Sequence, residues 1–149
     1  MSSLDSEEAP LVPAPDPLTD FFWAGARDRQ LLILRCQACG FYVHWPRPIC
    51  KRCHSFDLAP EPVSGRASLY TYTIGVQAFH PWFEIRIPYI LAVAELEEQA
   101  HLKLVTNIVD CQKDDLRIGM ELEVGFEEIT AAFVLPVFRP AVTRPRRED

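Results

Sequence analysis

The sequence has no run of eighteen uncharged apolar residues, no Gly-x-Gly-x-x-Gly, no P-loop and no Gly-x-Ser-x-Gly. A membrane-spanning helix, a dinucleotide cradle, a nucleoside-triphosphate loop and a serine-hydrolase elbow are therefore not expected. Glycine is scarce, six residues against thirteen prolines in a chain of 149. Proline fixes φ and removes a backbone donor, so this balance favours strands, turns and extended loops over long helices. Basic residues are absent from the first twenty positions, which carry five acidic groups. A secretory leader would be basic and then apolar, so a cytoplasmic protein is expected. The length allows one average domain, or a small module attached to a modest one, around a single core.

Cysteine is also scarce, five in all, yet four fall in "CQACGFYVHWPRPICKRC" as Cys36-x2-Cys39-x10-Cys50-x2-Cys53. In a reducing compartment such pairs are metal ligands rather than disulfides. Four soft thiolates presented from two tight turns suit tetrahedral Zn²⁺, with iron the alternative occupant, and a closed set of four leaves no position for water or substrate. The ten-residue gap is shorter than the usual spacing of about fifteen to twenty, so the intervening loop must be compact; Gly40, Pro46 and Pro48 allow that. The reading is a structural metal, and Cys39→Ser is expected to lose metal and fold together. His44 and His54 lie near enough to ligate, but four cysteines already complete the shell.

The same stretch is a basic island on an acidic protein of net charge -6: residues 27–53 hold Arg27, Arg29, Arg35, Arg47, Lys51 and Arg52 against Asp28 alone. Along the chain, residues 1–16 read as a mobile acidic, Pro-rich lead-in and 17–30 as a short helix, with Thr19 as N-cap and Phe22, Trp23 and Ala26 on one side. Residues 31–60 read as a zinc ribbon, "LLILRC" and "FYVHW" being its strands and "HSFDLAPEPVSG" a turn-rich connector. Residues 61–141 read as five strands: "RASLYTYTIGV", "YILAVAELE", "HLKLVTNIV" after a turn at 98–100, "MELEVGFE" with Met120, Leu122, Val124 and Phe126 on one face, and "AAFVLPVF". Five short strands with no ordinary helix between them fit a small closed barrel or a sandwich. Residues 142–149 are a basic, Pro-rich tail.

No complete catalytic set is found. Cys111 follows Asp110 at a strand end and reads as a half-buried structural thiol. The carboxylate pairs Glu97 and Glu98, Asp114 and Asp115, and Glu127 and Glu128 read as solvated. The loop "QAFHPWFEIRIP" is different, because Phe79, His80, Trp82, Phe83 and Arg86 give it more aromatic area than a solvent loop exposes. Such side chains anchor a protein interface or ligand cleft, or fold back as a lid on the barrel.

The order of parts resembles the zinc-ribbon OB-fold family catalogued as domain of unknown function thirty-five. The matching stretches are "FFWAGARDRQLLILRCQACG", "PRPICKRC", "GRASLYTYTI", "IPYILAVAELEE", "DDLRIGMELEVGFEE" and "LPVFRPA", within residues 21–141. The resemblance implies a mainly β fold of short N-terminal helix, rubredoxin-like four-cysteine zinc ribbon and five-stranded OB-fold barrel. It implies a subunit without its own active site, bound to a thiolase or thiolase-like lipid-transfer enzyme that makes or breaks carbon–carbon bonds in CoA thioesters. The small subunit would brace that enzyme and help wall the CoA channel.

The candidate contact residues for enzyme or CoA are therefore Arg35, Arg47, Lys51 and Arg52 on the basic island, which suit phosphate or an acidic surface, and Phe79, His80, Trp82, Phe83 and Arg86 in the aromatic loop. Two copies of each subunit is the simplest assembly. A single-stranded nucleic-acid module is the alternative, since ribbons and OB folds both serve that use, but residues 84–128 hold eleven acidic and four basic side chains, the wrong sign for a phosphate-tracking groove. A stand-alone acyl-CoA-binding protein is the third reading. No membrane partner is expected.

Overall fold

The computed structural model describes residues 9–142. The basic tail from 143 and the first half of the lead-in lie outside the described residues.

One α-helix, α1 (Asp20–Arg27), opens the fold. Thr19 stands at its N-cap but does not cap it. Its hydroxyl bonds the Asp16 carboxylate at 3.1 Å, and that carboxylate accepts the amides of Leu18 and Thr19 at 2.9 Å. A helix this short has no stability of its own. It is held by burial of Phe22, Trp23, Gly25 and Ala26, with the Trp23 ring 4.9 Å from that of Phe133 across the core.

The ribbon is a three-stranded antiparallel sheet of β1 (Leu32–Cys36), β2 (Tyr42–Val43) and β3 (Leu58–Pro62), in the order β2-β1-β3. The connector reading of "LAPEP" is corrected here. It forms a strand because β3 is an edge, where Pro60 and Pro62 turn their missing N–H away from β1 while staying in register with Leu34 and Leu32.

The rest closes as a five-stranded barrel: β4 (Arg66–Gly75), β5 (Tyr89–Leu96), β6 (Lys103–Ile108), β7 (Glu121–Thr130) and β8 (Phe133–Pro140), in the order β4-β5-β6-β8-β7. All neighbours are antiparallel except β6 and β8, which meet in parallel at Ile108 and Phe138. The alternation read from the sequence governs the inside: Ile90, Ala92, Ala94 and Leu96 of β5 and Leu104, Thr106 and Ile108 of β6 are buried. Leu122 is buried too, and Met120, Val124 and Phe126 pack against the same core.

Leu31 and Ile33 join Phe22, Trp23 and the barrel residues in one cluster, so the inner ribbon and barrel share a core. Gly65, at φ +78, turns the chain between them and passes so close to Val124 that a Cβ would collide with it. No helix among the described residues is long and apolar enough to cross a membrane.

Candidate metal centre and docking loop

Each cysteine knuckle is a tight backbone turn. The Gly40 amide donates to the Cys36 carbonyl and the His54 amide to the Cys50 carbonyl, both at 2.9 Å. The residue after each knuckle takes a left-handed backbone, Gly40 at φ 77 and His54 at φ 63. His54 is thus the positional counterpart of Gly40, exposed and turning the chain rather than supplying a ligand.

The two turns face each other. Sγ of Cys36 lies 3.5 Å from that of Cys53, Sγ of Cys39 lies 3.7 Å from that of Cys50, and all four fall within 4.8 Å of one another. Thiolates about 2.3 Å from one tetrahedral ion stand about 3.8 Å apart, so the set fits such an ion closely.

Its electrostatics call for a cation. The Cys36 thiol is drawn down to about 7, chiefly by the amide of Cys39. For Cys53 the amide of Ser55 also favours ionisation, but burial and the three surrounding thiols push it up to about 12. Once one sulfur is charged its neighbours resist ionising, and a bound cation relieves that repulsion. Four ligands would close the shell of an ion held here, leaving no position for water to be activated.

Of the basic residues around the knuckles, Arg35 is engaged inside the ribbon. Its Nε donates to the Gly40 carbonyl at 2.9 Å, its Nη1 meets Glu61 at 3.0 Å, and its guanidinium lies 4.6 Å from the Tyr42 ring centroid. The same contact, with Gln37 assisting, holds the Glu61 carboxyl below its ordinary range. Arg47, Lys51 and Arg52 are exposed, and Lys51 and Arg52 share the ring of Phe41, at 5.5 and 5.9 Å. His44 turns inward against Phe22, and burial lowers its imidazole to about 4.

The aromatic loop divides in two. Trp82, Phe83 and Arg86 fold back on the barrel, with the Arg86 guanidinium 4.0 Å from the Trp82 ring centroid and 2.9 Å from Glu127, and Phe83 4.9 Å from Trp82. They help to wall an apolar cleft of about 540 Å³ with Tyr89, Phe133 and Leu135. His80 accepts the Trp82 amide on Nδ1 at 3.2 Å and starts a 3-10 turn at Pro81–Phe83. Phe79 and Ile85 point out, 84% and 89% exposed, as does Val76 just past the end of the preceding strand, at 73%. Cys111 lines the cleft and burial raises its thiol above the ordinary value.

Two features lay outside the sequence reading. Three of the carboxylates read as solvated are ties: Glu97 to Arg66 at 2.8 Å, Glu127 to Arg86, and Glu128 to Arg29 at 2.8 Å. Gln99, in the β5–β6 turn, receives the Tyr42 amide on Oε1 at 2.8 Å and donates Nε2 to the Tyr42 carbonyl at 3.1 Å, so one side chain pairs with β2 as a strand would. A broad concavity of about 910 Å³ opens beside this turn and is lined by Glu95, Glu97, Glu121 and Glu123 with Arg66.

Comparison with known proteins accounts for both halves. Residues 23–59 match a family model described as the ChsH2 rubredoxin-like zinc ribbon domain, and residues 60–127 one described as the ChsH2 C-terminal OB-fold domain. A probable enoyl-CoA hydratase alpha subunit from Thermomonospora curvata is 37% identical over 97% of this chain, which spans only 44% of that relative's length. A DUF35 domain-containing scaffold protein from Methanocaldococcus jannaschii is 36% identical over 72% of this chain and 75% of its own. Among solved structures, a chain of the Ltp2-ChsH2(DUF35) aldolase superposes with TM-score 0.80 at 38% identity, covering 88% of this chain and 100% of that one. A DUF35-family protein from Sulfolobus solfataricus shares the fold at TM-score 0.56 and 13% identity, over 84% and 86% of the two chains. The chain belongs to the ChsH2, or DUF35, family of zinc-ribbon OB-fold proteins.

Proposed function

We propose that the chain is a non-catalytic accessory subunit that binds and stabilises a thiolase-like, lipid-transfer-type enzyme acting on carbon–carbon bonds of acyl-CoA thioesters, in an assembly with two copies of each subunit. The carrying observation is the outward half of the barrel loop, where Val76, Phe79 and Ile85 are large apolar side chains left exposed within ten residues of chain. Apolar side chains held out on a fixed frame suit a protein interface.

The relatives support a role apart from bond chemistry. One is named an aldolase assembly, another an enoyl-CoA hydratase subunit, a third a scaffold protein. Aldol cleavage and hydration need different active sites, so what such proteins share is better sought in support or CoA handling than in the reaction. Structural Zn²⁺ is the ion proposed for Cys36, Cys39, Cys50 and Cys53, with one metal per chain expected by elemental analysis. Arg47, Lys51 and Arg52 are the cations proposed to face CoA phosphates or an acidic surface of the enzyme; Arg35 serves their frame. The acidic lining of the broad concavity opposes a phosphodiester backbone there and favours this reading over a nucleic-acid module.

The test is co-expression of the full chain with a thiolase-type enzyme encoded beside it, followed by size-exclusion chromatography with mass determination. Co-elution is expected, and a monodisperse monomer that captures no such enzyme overturns the proposal.

A further inference from the structure

Strand β4 is paired on both sides only over its first residues. Ala67 lies between Leu122 of β7 and Leu96 of β5. Leu69 then exchanges two backbone hydrogen bonds with the turn before β7, donating to Met120 at 3.0 Å and accepting from Gly119 at 2.7 Å. A bulge between Leu69 and Thr71 turns the strand away from β7. Over residues 71–75 the ladder continues with β5 alone, from Thr71 opposite Val93 to Gly75 opposite Tyr89. Among the described residues no hydrogen bond reaches the other edge of residues 70–75.

An open edge offers unpaired N–H and C=O groups on alternate residues, and proteins ordinarily blunt it with proline, charge or cover. This chain does so elsewhere: the outer edge of β3 carries Pro60 and Pro62. The free part of β4 reads "YTYTIG", with no charge and no proline, and residues 70–73 are exposed. It runs straight into Val76 and the loop bearing Phe79 and Ile85. Edge and loop are continuous along the chain; Lys103 places its ammonium 3.6 Å from the Tyr70 ring centroid at the start of the edge, and Glu84 is exposed in the loop.

We infer that residues 70–75 seat an extended segment of the enzyme subunit, which adds a strand to the barrel sheet beside β4. Main-chain hydrogen bonds would hold it, and the uncharged Thr71, Tyr72, Thr73 and Ile74 of the strand itself suit a segment of β-branched or aromatic residues. The inference rests on the accessory-subunit reading, because the edge is continuous with the loop assigned there to the enzyme.

The test uses the full chain with its co-expressed enzyme and reads amide hydrogen exchange across residues 70–75. The expected result is that the outward amides exchange fast in the free chain and become protected in the complex. Thr71→Lys with Thr73→Lys, which blunts the edge as natural edges are blunted, should weaken the complex by about tenfold or more while metal content and melting temperature stay as in the parent. A complex whose residues 70–75 exchange as fast as in the free chain, or whose affinity ignores the lysines, overturns the inference and leaves the accessory reading standing. Protection that appears without enzyme, together with self-association, overturns it in favour of a second copy of this chain. Failure to bind any such enzyme removes both.

Discussion

In the barrel, Leu69, Leu96, Leu122 and Phe138 are sealed between strands that pair on both sides or nearly so; between residues 36 and 53 of the ribbon the buried residues are Cys36, Val43, Pro46 and Cys50. One interior is hydrocarbon, the other largely sulfur. Hydrocarbon packs the same way whatever is bound, at roughly 25 cal/mol per Å² removed from water. Four clustered thiols repel once ionised, so order in the outer ribbon is expected to be linked to a bound metal. The two regions meet in one cluster through Leu31 and Ile33, and the experiments that follow measure how far order in one depends on the other.

Metal removal strains that comparison most. Chelation, or Cys39→Ser, should abolish protection of residues 36–56 from amide exchange, since metal binding to such a site is linked to on the order of 10 kcal/mol of folding free energy. The strands β5 to β8 should stay protected, a narrower loss than the loss of the whole fold expected from the sequence alone, because their core holds no metal ligand. Simultaneous loss of protection in β5 and β6 would show that ribbon and barrel are a single cooperative unit.

Phe138→Ala probes the other side. Phe138 is fully buried and joins three strands, opposite Val124 of β7 and Ile108 of β6. A cavity there should cost about 3–5 kcal/mol, visible in chemical denaturation of the metal-loaded chain, while metal stoichiometry remains one per chain. Loss of metal on this substitution would mean the barrel props the ribbon rather than merely adjoining it.

The third probe is pH, through His44. Burial holds its imidazole at about 4 against an ordinary 6.5. Below about 6.5 the unfolded chain takes up a proton that the folded ring refuses, so stability falls as pH drops from about 6.5 to 4 and levels off beneath that. The full effect is about 3 kcal/mol, and half of that drop should be present near about pH 5. An NMR titration of the ring should give a midpoint near 4; a midpoint at 6.5 would place His44 in solvent and the ribbon away from α1.

Sequence patterns carried the fold where one physical rule acted alone. Two tight thiol turns could mean little besides a metal, and the alternation in "YILAVAELE" and "MELEVGFE" determined which side chains face inward. It misled where two rules compete. The prolines of "LAPEP" read as turn, although an edge strand tolerates them because its outward N–H is unused. His54 is correctly excluded as a ligand by the four cysteines, but its part in the turn stays hidden because the left-handed backbone after a knuckle is invisible in composition, though the parallel with Gly40 after the first knuckle is there to be seen. The aromatic loop read as one unit, whereas the pull of Glu127 on Arg86 and of Arg86 on Trp82 turns half of it inward and leaves Phe79 and Ile85 outside. Partners across 41 residues of sequence leave no local trace.

The smallest effect is also the one that bears most directly on how ribbon and barrel communicate. Gln99 closes the exposed edge of β2 by bonding both backbone groups of Tyr42, and it does so from the β5–β6 turn, whose Glu98 also accepts the Ser64 amide at 2.7 Å. Gln99→Ala removes two hydrogen bonds that water can partly replace, so the loss in overall stability should be about 1 kcal/mol. Its greater consequence is in coupling. With Gln99 in place, metal binding to the knuckles should raise exchange protection in the β5–β6 turn as well as in β2; with alanine, the metal should still bind in one copy while that increase at residues 97–101 disappears. An undiminished increase in the alanine variant would assign the coupling to the shared core at Leu31 and Ile33, leaving Gln99 as a local edge cap.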